Sequence, residues 1–424
     1  MSVSLSPMLV TDINQKRIKY FVPAHEVAPG VLMHAAFSNT YALKTGAGLL
    51  LIDPGLAQYS GQVYEAIREW SDQPLGSVVF SHGHVDHICG LRAFEKAGEK
   101  IPLIIAQENL PARIERYQKM HGWNATINHI QFSTPQPAFP RKFTPPTLTF
   151  RDSLTQKMGD LTIHLRAAKA ETDDMCYVWV PEERYLFCGD LFEWTMPNCG
   201  NPQKVQRYPL EWAEALEEMA GLGAEWLFPG HGFVLKGEEM IRTLFTDIAS
   251  FLRDLVKQVI ERMNAGQMPE DILHAVEPDP DLASRPYLRA FYDHPKFIVR
   301  NLLRLYGGWW NGNPADLLPA TWETQAQEIA LLAGGVEQIV QRGYTLLQEG
   351  KSDLAAHLAE WATRAEPANR AAQELKRDVY LRRIKEQKSL MARGIYIHAM
   401  NQARRALGEE PLPPKHSLTL GGSE

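Results

Sequence analysis

The chain has 424 residues, of which 45% are hydrophobic and 22% are charged. These proportions are typical of folded globular proteins and exclude disordered, collagen-like and low-complexity classes. The net charge of −6 indicates no basic surface, so we expect no nucleic-acid partner.

Neither a membrane span nor an export signal is evident in the sequence. No stretch reaches the roughly 18 to 20 apolar residues that a membrane helix needs, and the segment from Met1 to Tyr20 lacks an apolar signal core. The four cysteines are too few for a disulfide framework over this length. We therefore predict a cytoplasmic protein.

The first half of the chain alternates between short apolar strands and helices. Residues 39–43 and 49–52 form a predicted hairpin around a glycine turn, and Gln62 to Trp70 has helical spacing. We interpret 107–151, which is rich in aromatic residues and proline, as an insertion with one helix (111–121) and irregular coil. Other apolar runs of strand length lie at 77–80, 161–165, 177–180, 185–188 and 226–228.

After about Gly237 the pattern becomes helical. Residues 238–263 are periodic at helical spacing and end at a C-cap signal, Asn264-Ala265-Gly266. Further helical patterns predict four or five amphipathic helices between 321 and 407, which favour an interaction or dimer surface. The fold class is therefore an α/β front half joined to an all-α rear half. We place the boundaries at 1–240 (catalytic domain), 241–320 (helical connector), 321–408 (helical domain) and 409–424 (flexible tail).

A dense run of polar residues, Ser81-His82-Gly83-His84-Val85-Asp86-His87, directly follows the predicted strand 77–80. Imidazole nitrogens suit zinc or iron, and the carboxylate adds an anionic ligand for a second ion. The alternative is an exposed polar loop that caps the next helix. Four potential ligands within six residues favour the metal site.

Three more candidate ligands each stand just beyond an apolar strand: Glu171, Asp190 and His231. Open α/β architectures place ligand sites outside strand ends, so these loops can converge on one place. His164 is a rival ligand, but its position in the middle of a predicted strand favours a core or surface role.

Together these motifs resemble the metallo-β-lactamase superfamily. Its HxHxDH motif matches 82–87, its Gly-Asp strand end matches Gly189-Asp190, and its Pro-Gly-His matches 229–231. The resemblance implies an αββα sandwich. Glutamate at Glu171, where most members have histidine, resembles the alkylsulfatase branch, as does Leu305 to Pro314 with that branch's Tyr-x-Gly-Trp-x-x-Gly-Asn-Pro signature.

The resemblance extends to the rear half and to the assembly. The helices from Gly334 to Leu407 resemble the dimerisation domain of alkylsulfatases, which implies a homodimer formed through the C-terminal helices. The sterol-carrier-like domain that usually ends those enzymes is absent from this sequence.

The resemblance also implies a dinuclear metal-dependent hydrolase that attacks an ester-type bond, most directly a sulfate ester. Zinc is the expected metal, with iron and manganese as alternatives, and the substrate is expected to be a small anionic or amphiphilic molecule. Another ester (thioester, lactone or phosphoester) and a di-iron oxidoreductase on the same scaffold are the alternative functions. One ion would be held by His82, His84 and Glu171 and the other by Asp86, His87 and His231, with Asp190 bridging both and Asp86 also accepting a proton.

Substrate contacts are expected from loops near the strand ends. Two positions depart from the branch: Gln203-Lys204 stands where its arginine would grip sulfate, and Phe297 stands where it has a histidine. The predicted substrate-binding residues are Tyr117, Trp123, Asn124, Asn128, Trp194, Lys204, Arg207 and His294. For Trp179, Trp309 and Trp310 we favour core packing.

Overall fold

The computed structural model describes residues 6–14 and 21–412 of the chain. These residues form two compact units, which we call the front unit and the helical unit. The front unit contains the described residues up to Met120 together with 140–290 and 294–308, and the helical unit contains 121–139, 291–293 and 309–412. Residues 413–424, most of the predicted tail, lie outside the described part. The predicted domain boundaries at 240 and 320 stay predictions.

Fourteen strands build the front unit and pair into two seven-stranded sheets. The first sheet has the order 2-3-4-5-6-7-8, and the second has the order 1-14-13-12-11-10-9. The strands are β1 (Leu9–Val10), β2 (Phe21–Ala28), β3 (Val31–Ala36), β4 (Ser38–Lys44), β5 (Leu49–Ile52), β6 (Leu75–Val79), β7 (Ile104–Gln107), β8 (Leu148–Phe150), β9 (Ser153–Met158), β10 (Leu161–Ala168), β11 (Met175–Val180), β12 (Tyr185–Gly189), β13 (Trp226–Pro229) and β14 (Val234–Lys236).

Each sheet combines a run of antiparallel strands with parallel neighbours. In the first sheet β2 to β5 pair antiparallel, whereas β5 to β8 pair parallel. In the second sheet β9 to β12 pair antiparallel, and β13 is parallel to β12. Because parallel neighbours end at the same edge of a sheet, the loops after β5 and β6 lie together, and so do those after β12 and β13.

Alternation along β5 shows how the layers stack. Leu50 and Ile52 belong to the large core shared by the two sheets, while Leu49 and Leu51 belong to the core beneath the outer helices of the first sheet. A strand buried on both faces reads as a continuous apolar run rather than an alternating one. β9, by contrast, lies at a sheet edge and alternates between exposed and partly buried residues.

Helices cover the outer faces of both sheets, so the predicted αββα sandwich is confirmed. Leu110 and Ile114 of α4 join α1 on the first sheet, and the buried stripes of α6, α7 and α10 join the core that contains the second sheet. The helices of the front unit are α1 (Ser60–Trp70), α2 (Val85–Ile88), α3 (Arg92–Lys96), α4 (Leu110–Lys119), α6 (Pro209–Ala220), α7 (Glu238–Asn264), α8 (Pro269–Ala275), α9 (Pro280–Ala283) and α10 (Pro295–Gly307).

The helical unit contains six α-helices in its described residues. Glycines bring two pairs of helices close together: a Cβ on Gly343 would lie 2.5 Å from Leu375, and one on Gly394 would lie 1.8 Å from the Gln131 carbonyl oxygen. The helices are α5 (His121–Phe132), α11 (Trp322–Ala333), α12 (Val336–Gln348), α13 (Ser352–Ala365), α14 (Arg370–Glu386) and α15 (Leu390–Ala406).

Most predicted elements of the sequence are confirmed, including the hairpin, α1, α7 and the five helices after residue 321. Two interpretations are wrong. The insertion 107–151 holds two helices (α4 and α5) rather than one, and two of the three tryptophans predicted to pack in the core are exposed, Trp309 by 72% and Trp310 by 38%. Trp179, the third, is partly buried and packs against the core. Within 6–14 and 21–412, no helix is both long and apolar enough to cross a bilayer.

Candidate metal centre

The loop after β6 carries four of the seven predicted ligands and is fixed at two points. The Ser81 backbone N–H donates to Asp53 Oδ1 (2.7 Å), and the Ser81 hydroxyl donates to Asp53 Oδ2 (2.6 Å). Two residues later the Gly83 N–H donates to Asp174 Oδ2 (2.9 Å). The single turn of α2 then carries Asp86 and His87 back toward the strand ends.

The other three ligands come from the loops after β10, β12 and β13. Two glycines allow these loops to approach one another. A Cβ on Gly230 would lie 2.0 Å from Asp190 Oδ1, and a Cβ on Gly189, whose φ is +51°, would lie 2.6 Å from the Ser81 hydroxyl. Only glycine fits such contacts, so both glycines are needed for Asp190 to reach the cluster.

The seven side chains converge in two groups. The donor atoms of His82, His84, Glu171 and Asp190 all lie within 4.8 Å of one another, as do those of Asp86, His87 and His231. These are the seven residues that the sequence analysis predicted as ligands.

Asp190 lies between the two groups. Its Oδ2 atom is 3.3 Å from His87 Nε2, 3.4 Å from His231 Nε2 and 3.6 Å from His82 Nε2. One carboxylate oxygen therefore faces imidazoles of both groups.

The cluster has the donor chemistry of a metal site. Glu171 Oε2 and Asp190 Oδ1 are buried and accept no hydrogen bond, which is costly unless another positive charge satisfies them. Imidazole and carboxylate donors in such numbers suit zinc, iron or manganese. The arrangement is thus able to bind metal ions.

Burial and mutual charge shift the pKa values inside the cluster in opposite directions. Burial would raise the pKa of Asp86, but His87 and His231 lower it well below its usual range. Burial, together with His87 and His84, lowers the pKa of His82. Burial would also lower the pKa of His87, yet the carboxylates of Asp190, Asp86 and Asp53 raise it. The carboxylates of Asp86 and Asp190, whose pKa values are both lowered, therefore remain ionised, as cation ligands must.

Comparison with known proteins agrees with this geometry. A profile of the Metallo-beta-lactamase superfamily matches residues 35–231, and a profile described as Alkyl sulfatase dimerisation matches residues 268–406. The chain joins a metallo-β-lactamase domain to an alkyl sulfatase dimerisation domain.

Curated relatives and solved structures resemble most of the chain. A linear primary-alkylsulfatase from a Pseudomonas species is 27% identical over 78% of this chain and 67% of its own length. An (R)-specific secondary-alkylsulfatase from Pseudomonas is 24% identical over 80% of this chain and 56% of its own length. The structure of the stereoselective inverting sec-alkylsulfatase Pisa1 from Pseudomonas superposes with a TM-score of 0.80 at 20% identity, covering 92% of this chain and 66% of that protein.

These matches show a shared fold, and they leave part of the relatives uncovered. The chain spans between 56% and 67% of the length of the two curated alkylsulfatases.

Hydrogen bonds orient two imidazoles of the metallo-β-lactamase cluster, the name we use for the seven candidate ligands. Asp53 Oδ2 lies 2.8 Å from His87 Nδ1, and the Phe37 carbonyl oxygen lies 2.8 Å from His231 Nδ1. Each of these contacts leaves Nε2 directed at the carboxylates of the cluster. Such partners fix the tautomer and ring orientation of a metal-binding histidine.

Several residues that support the site were not predicted. The sequence does contain a pattern that could have indicated Asp53, because this residue directly follows a buried strand and precedes Pro54-Gly55. Glu193 had no such pattern: burial, then the carboxylates of Asp190 and Glu171, raises its pKa well above the usual range. Asp174 and Arg113 also had none, since their contacts join residues that are 61 positions apart in the chain.

The predicted substrate contact Arg207 points instead at a ligand. It is only 2% exposed, and its guanidinium pairs with Glu171 Oε1, which also accepts a hydrogen bond from Asn198 Nδ2. Arg207 therefore lies behind a candidate ligand, and its contact with substrate stays a prediction.

The predicted aromatic contacts also lie elsewhere than expected. Trp194 is 2% exposed and donates its indole N–H to the Phe233 carbonyl oxygen (2.7 Å), so it is a core residue. Tyr117 and Trp123 lie in α4 and α5 rather than in loops. Trp123 belongs, with Asn124 and Asn128, to the helical unit, and their role in binding stays a prediction.

The two remaining predicted contacts belong to the front unit. His294 is partly buried and begins α10, where its Nδ1 accepts a hydrogen bond from the Lys296 N–H (3.2 Å). Lys204 is partly buried, and its charge interacts with those of Glu171 and Asp86. Lys204 is thus the predicted anion contact that remains near the metallo-β-lactamase cluster.

We expect the Asp174→Ala variant to lose about 3–5 kcal/mol of unfolding free energy. The fully buried Asp174 carboxylate accepts hydrogen bonds from the Gly83 N–H and from the Arg113 Nε–H (2.7 Å). Its removal therefore takes the buried counter-ion from a guanidinium whose side chain is 3% exposed. Chemical denaturation measures the loss.

Asp173→Ala is the matched control, because Asp173 pairs with the same guanidinium but its side chain is 44% exposed. It should cost under about 1 kcal/mol. Equal losses in the two variants would contradict the role assigned to Asp174.

Proposed function

We propose that the protein is a metal-dependent hydrolase that cleaves sulfate esters of alkyl alcohols. The convergence of seven nitrogen and oxygen donors at the strand ends carries this proposal. It is supported by the curated relatives, which are named linear primary- and secondary-alkylsulfatases.

We infer that two zinc ions occupy the cluster. His82, His84 and Glu171 would hold one ion and Asp86, His87 and His231 the other, with Asp190 Oδ2 facing both. When bound, a pair of divalent ions supplies a nucleophilic water at neutral pH and neutralises charge on the attacked group.

The residues of the chain prepare the site for this chemistry. Asp86 stays ionised because His87 and His231 outweigh its burial, so its carboxylate can accept a proton from the attacking water. Asp86 Oδ2 lies 3.4 Å from His231 Nε2, which keeps that oxygen directed into the cluster.

We assign recognition of the anionic ester group to Lys204. Gln203, beside it, stands where the alkylsulfatase branch has arginine, and its Oε1 is buried without a hydrogen bond. A neutral amide at this position binds a sulfate less strongly than a charged, bidentate guanidinium does. This feature supports hydrolysis of another ester (a thioester, lactone or phosphoester) as the second candidate function.

A second copy of this chain is the proposed partner. The helical unit exposes large apolar side chains that normally are buried, among them Leu318 (95%), Leu332 (81%) and Leu331 (74%). The match to the alkyl sulfatase dimerisation profile over 268–406 supports a homodimer that covers these leucines. The cytoplasmic location stays a prediction.

Purified protein is expected to contain two zinc ions per chain and to hydrolyse alkyl sulfates, which elemental analysis and an ester panel measure. The panel holds alkyl sulfates of several chain lengths, phosphoesters, thioesters and lactones. Asp86→Ala should reduce turnover by about 10² to 10⁴-fold, and the control Asp72→Ala, which changes an exposed carboxylate, should not. Turnover of another ester and of no sulfate would refute the sulfatase proposal, and iron as the sole active metal would favour the di-iron alternative.

The KM for an alkyl sulfate is expected to rise on the order of tenfold as the pH is raised from about 7.5 to 9.5. Burial and the nearby Arg207 lower the pKa of Lys204 to about 8, so its positive charge is present below that pH and lost above it. In Lys204→Arg the charge persists and the rise should disappear. A rise that persists in that variant would exclude Lys204 as the anion contact.

The substitution Leu331→Glu combined with Leu332→Glu should raise the dimer dissociation constant by on the order of 10²-fold. Both positions lie on α11, and glutamates there would bring charge into the apolar surface that the dimer is proposed to cover. Sedimentation equilibrium measures the constant. Leu381→Glu is the control, because Leu381 lies on α14 and is less exposed (38%); equal effects of the two changes would contradict this interface.

A further inference from the structure

The two groups of candidate ligands are backed by buried charges of opposite sign. Behind His87 lies the Asp53 carboxylate, which is 2% exposed and 2.8 Å from His87 Nδ1. Behind Glu171 lies the Arg207 guanidinium, which is also 2% exposed. One site therefore has a negative neighbour and the other a positive one.

Arg207 is fixed in this position by several hydrogen bonds. Its Nη1 donates to the Asn198 carbonyl oxygen (2.8 Å), and the Asn198 amide donates to the same Glu171 oxygen that the guanidinium contacts. Asn301 holds the Arg207 backbone, because its Nδ2 donates to the Arg207 carbonyl oxygen (2.9 Å) and its Oδ1 accepts the Arg207 N–H (3.3 Å). The guanidinium is thus a permanent counter-ion of Glu171.

The formal charges separate the two sites. Ion binding requires neutral imidazoles at both sites, so the carboxylates and the guanidinium make the difference. Glu171 and Arg207 cancel beside His82 and His84. Asp86 and Asp53 add two negative charges beside the other pair of imidazoles. Asp190 faces both groups and favours neither.

Other nearby charges do not remove this difference. Lys204 interacts with both Glu171 and Asp86, and Glu193 interacts with Asp190 as well as with both of those carboxylates. Because Lys204 and Glu193 each interact with ligands of both sites, neither residue separates the two sites. Asp53 and Arg207, in contrast, each make direct contact with a ligand of one site.

We propose that a divalent cation binds first, and more tightly, to Asp86, His87 and His231, and that Arg207 is a positioning residue that weakens the site of His82, His84 and Glu171. This inference rests on the proposed metal-dependent function. In the metal-free protein Arg207 already balances the charge of Glu171 through Oε1, while Oε2 remains open to an ion. An ion therefore gains less electrostatic stabilisation by binding there. Charge interactions in a buried site are strong, and a carboxylate behind a ligating imidazole raises the basicity of that ligand.

Titration of the metal-free protein with Co²⁺, followed by absorbance and by calorimetry, tests this order of binding. We expect two steps with affinities that differ by about tenfold or more. Glu171→Gln should abolish the weaker step and Asp86→Asn the tighter one, which assigns each step to its site. Two equal affinities in the wild-type protein would overturn the proposal.

Two variants, each of which removes one charge, should reduce the difference between the two metal affinities. One should raise the weaker affinity, and the other should lower the tighter one. Arg207→Met is expected to raise the weaker affinity, because Glu171 then lacks its counter-ion. Asp53→Asn is expected to lower the tighter affinity by about 10 to 100-fold. The control Arg68→Met removes a guanidinium that contacts Glu99 and the backbone of Ser71 and Gln73 rather than a candidate ligand. It should leave the difference between the two affinities unchanged.

The outcomes distinguish this inference from the proposed function. A wild-type protein that binds no divalent cation refutes the function itself. A wild-type protein that binds two ions and cleaves esters, with an Arg207→Met variant whose weaker affinity falls or stays the same, refutes only the inference. Circular dichroism checks that Arg207→Met is folded. If Arg207→Met does not fold, Asp53→Asn decides, and an unchanged difference between its two metal affinities refutes the inference.

Discussion

The buried carboxylate of Asp53 connects the segments on which the metallo-β-lactamase site depends. Asp53 directly follows β5 and has a left-handed backbone conformation (φ +51°). Its carboxylate accepts hydrogen bonds from the backbone N–H and the hydroxyl of Ser81. The same carboxylate contacts His87 on α2. Because β5 and β6 are parallel neighbours, this one side chain joins their ends and sets the orientation of the loop that carries His82 to His87. A non-glycine residue in such a conformation is strained, and the three side-chain contacts of Asp53 offset that strain.

The second constraint is space at the strand ends. Seven ionisable side chains must approach within a few ångströms, and each would be costly to bury alone. Alternating imidazoles with carboxylates lowers that cost, and Gly189 and Gly230 remove the side chains that would keep the loops apart. The same need for close approach explains why the ligands follow strands: a strand end has a fixed position, whereas the tip of a long loop does not.

Local patterns account for what could be predicted from the sequence. The spacing within 82–87 and the apolar strands before Asp190 and His231 are readable within about ten residues, and the structure brings those residues together. Contacts between distant segments were not readable: Arg207 was expected to face substrate, yet it contacts Glu171, 36 positions away (207 − 171 = 36). Trp309 and Trp310 were expected to be core residues because tryptophan usually is buried, and their exposure follows from surroundings that no local pattern encodes.

The position of Arg207 limits how an anionic substrate can be recognised. Its guanidinium is held by Glu171, Asn198 and the anchored backbone, so the same fork cannot also grip an incoming sulfate. In the proposed function, recognition by Lys204 would replace a planar, bidentate donor with a flexible ammonium that behaves as a point charge. A point charge attracts any anionic ester without reading the tetrahedral geometry of its head group. Under this proposal the chain would select its substrate less by the shape of the anion than a site with arginine at that position would. The alcohol portion of the ester would then have to supply more of the specificity.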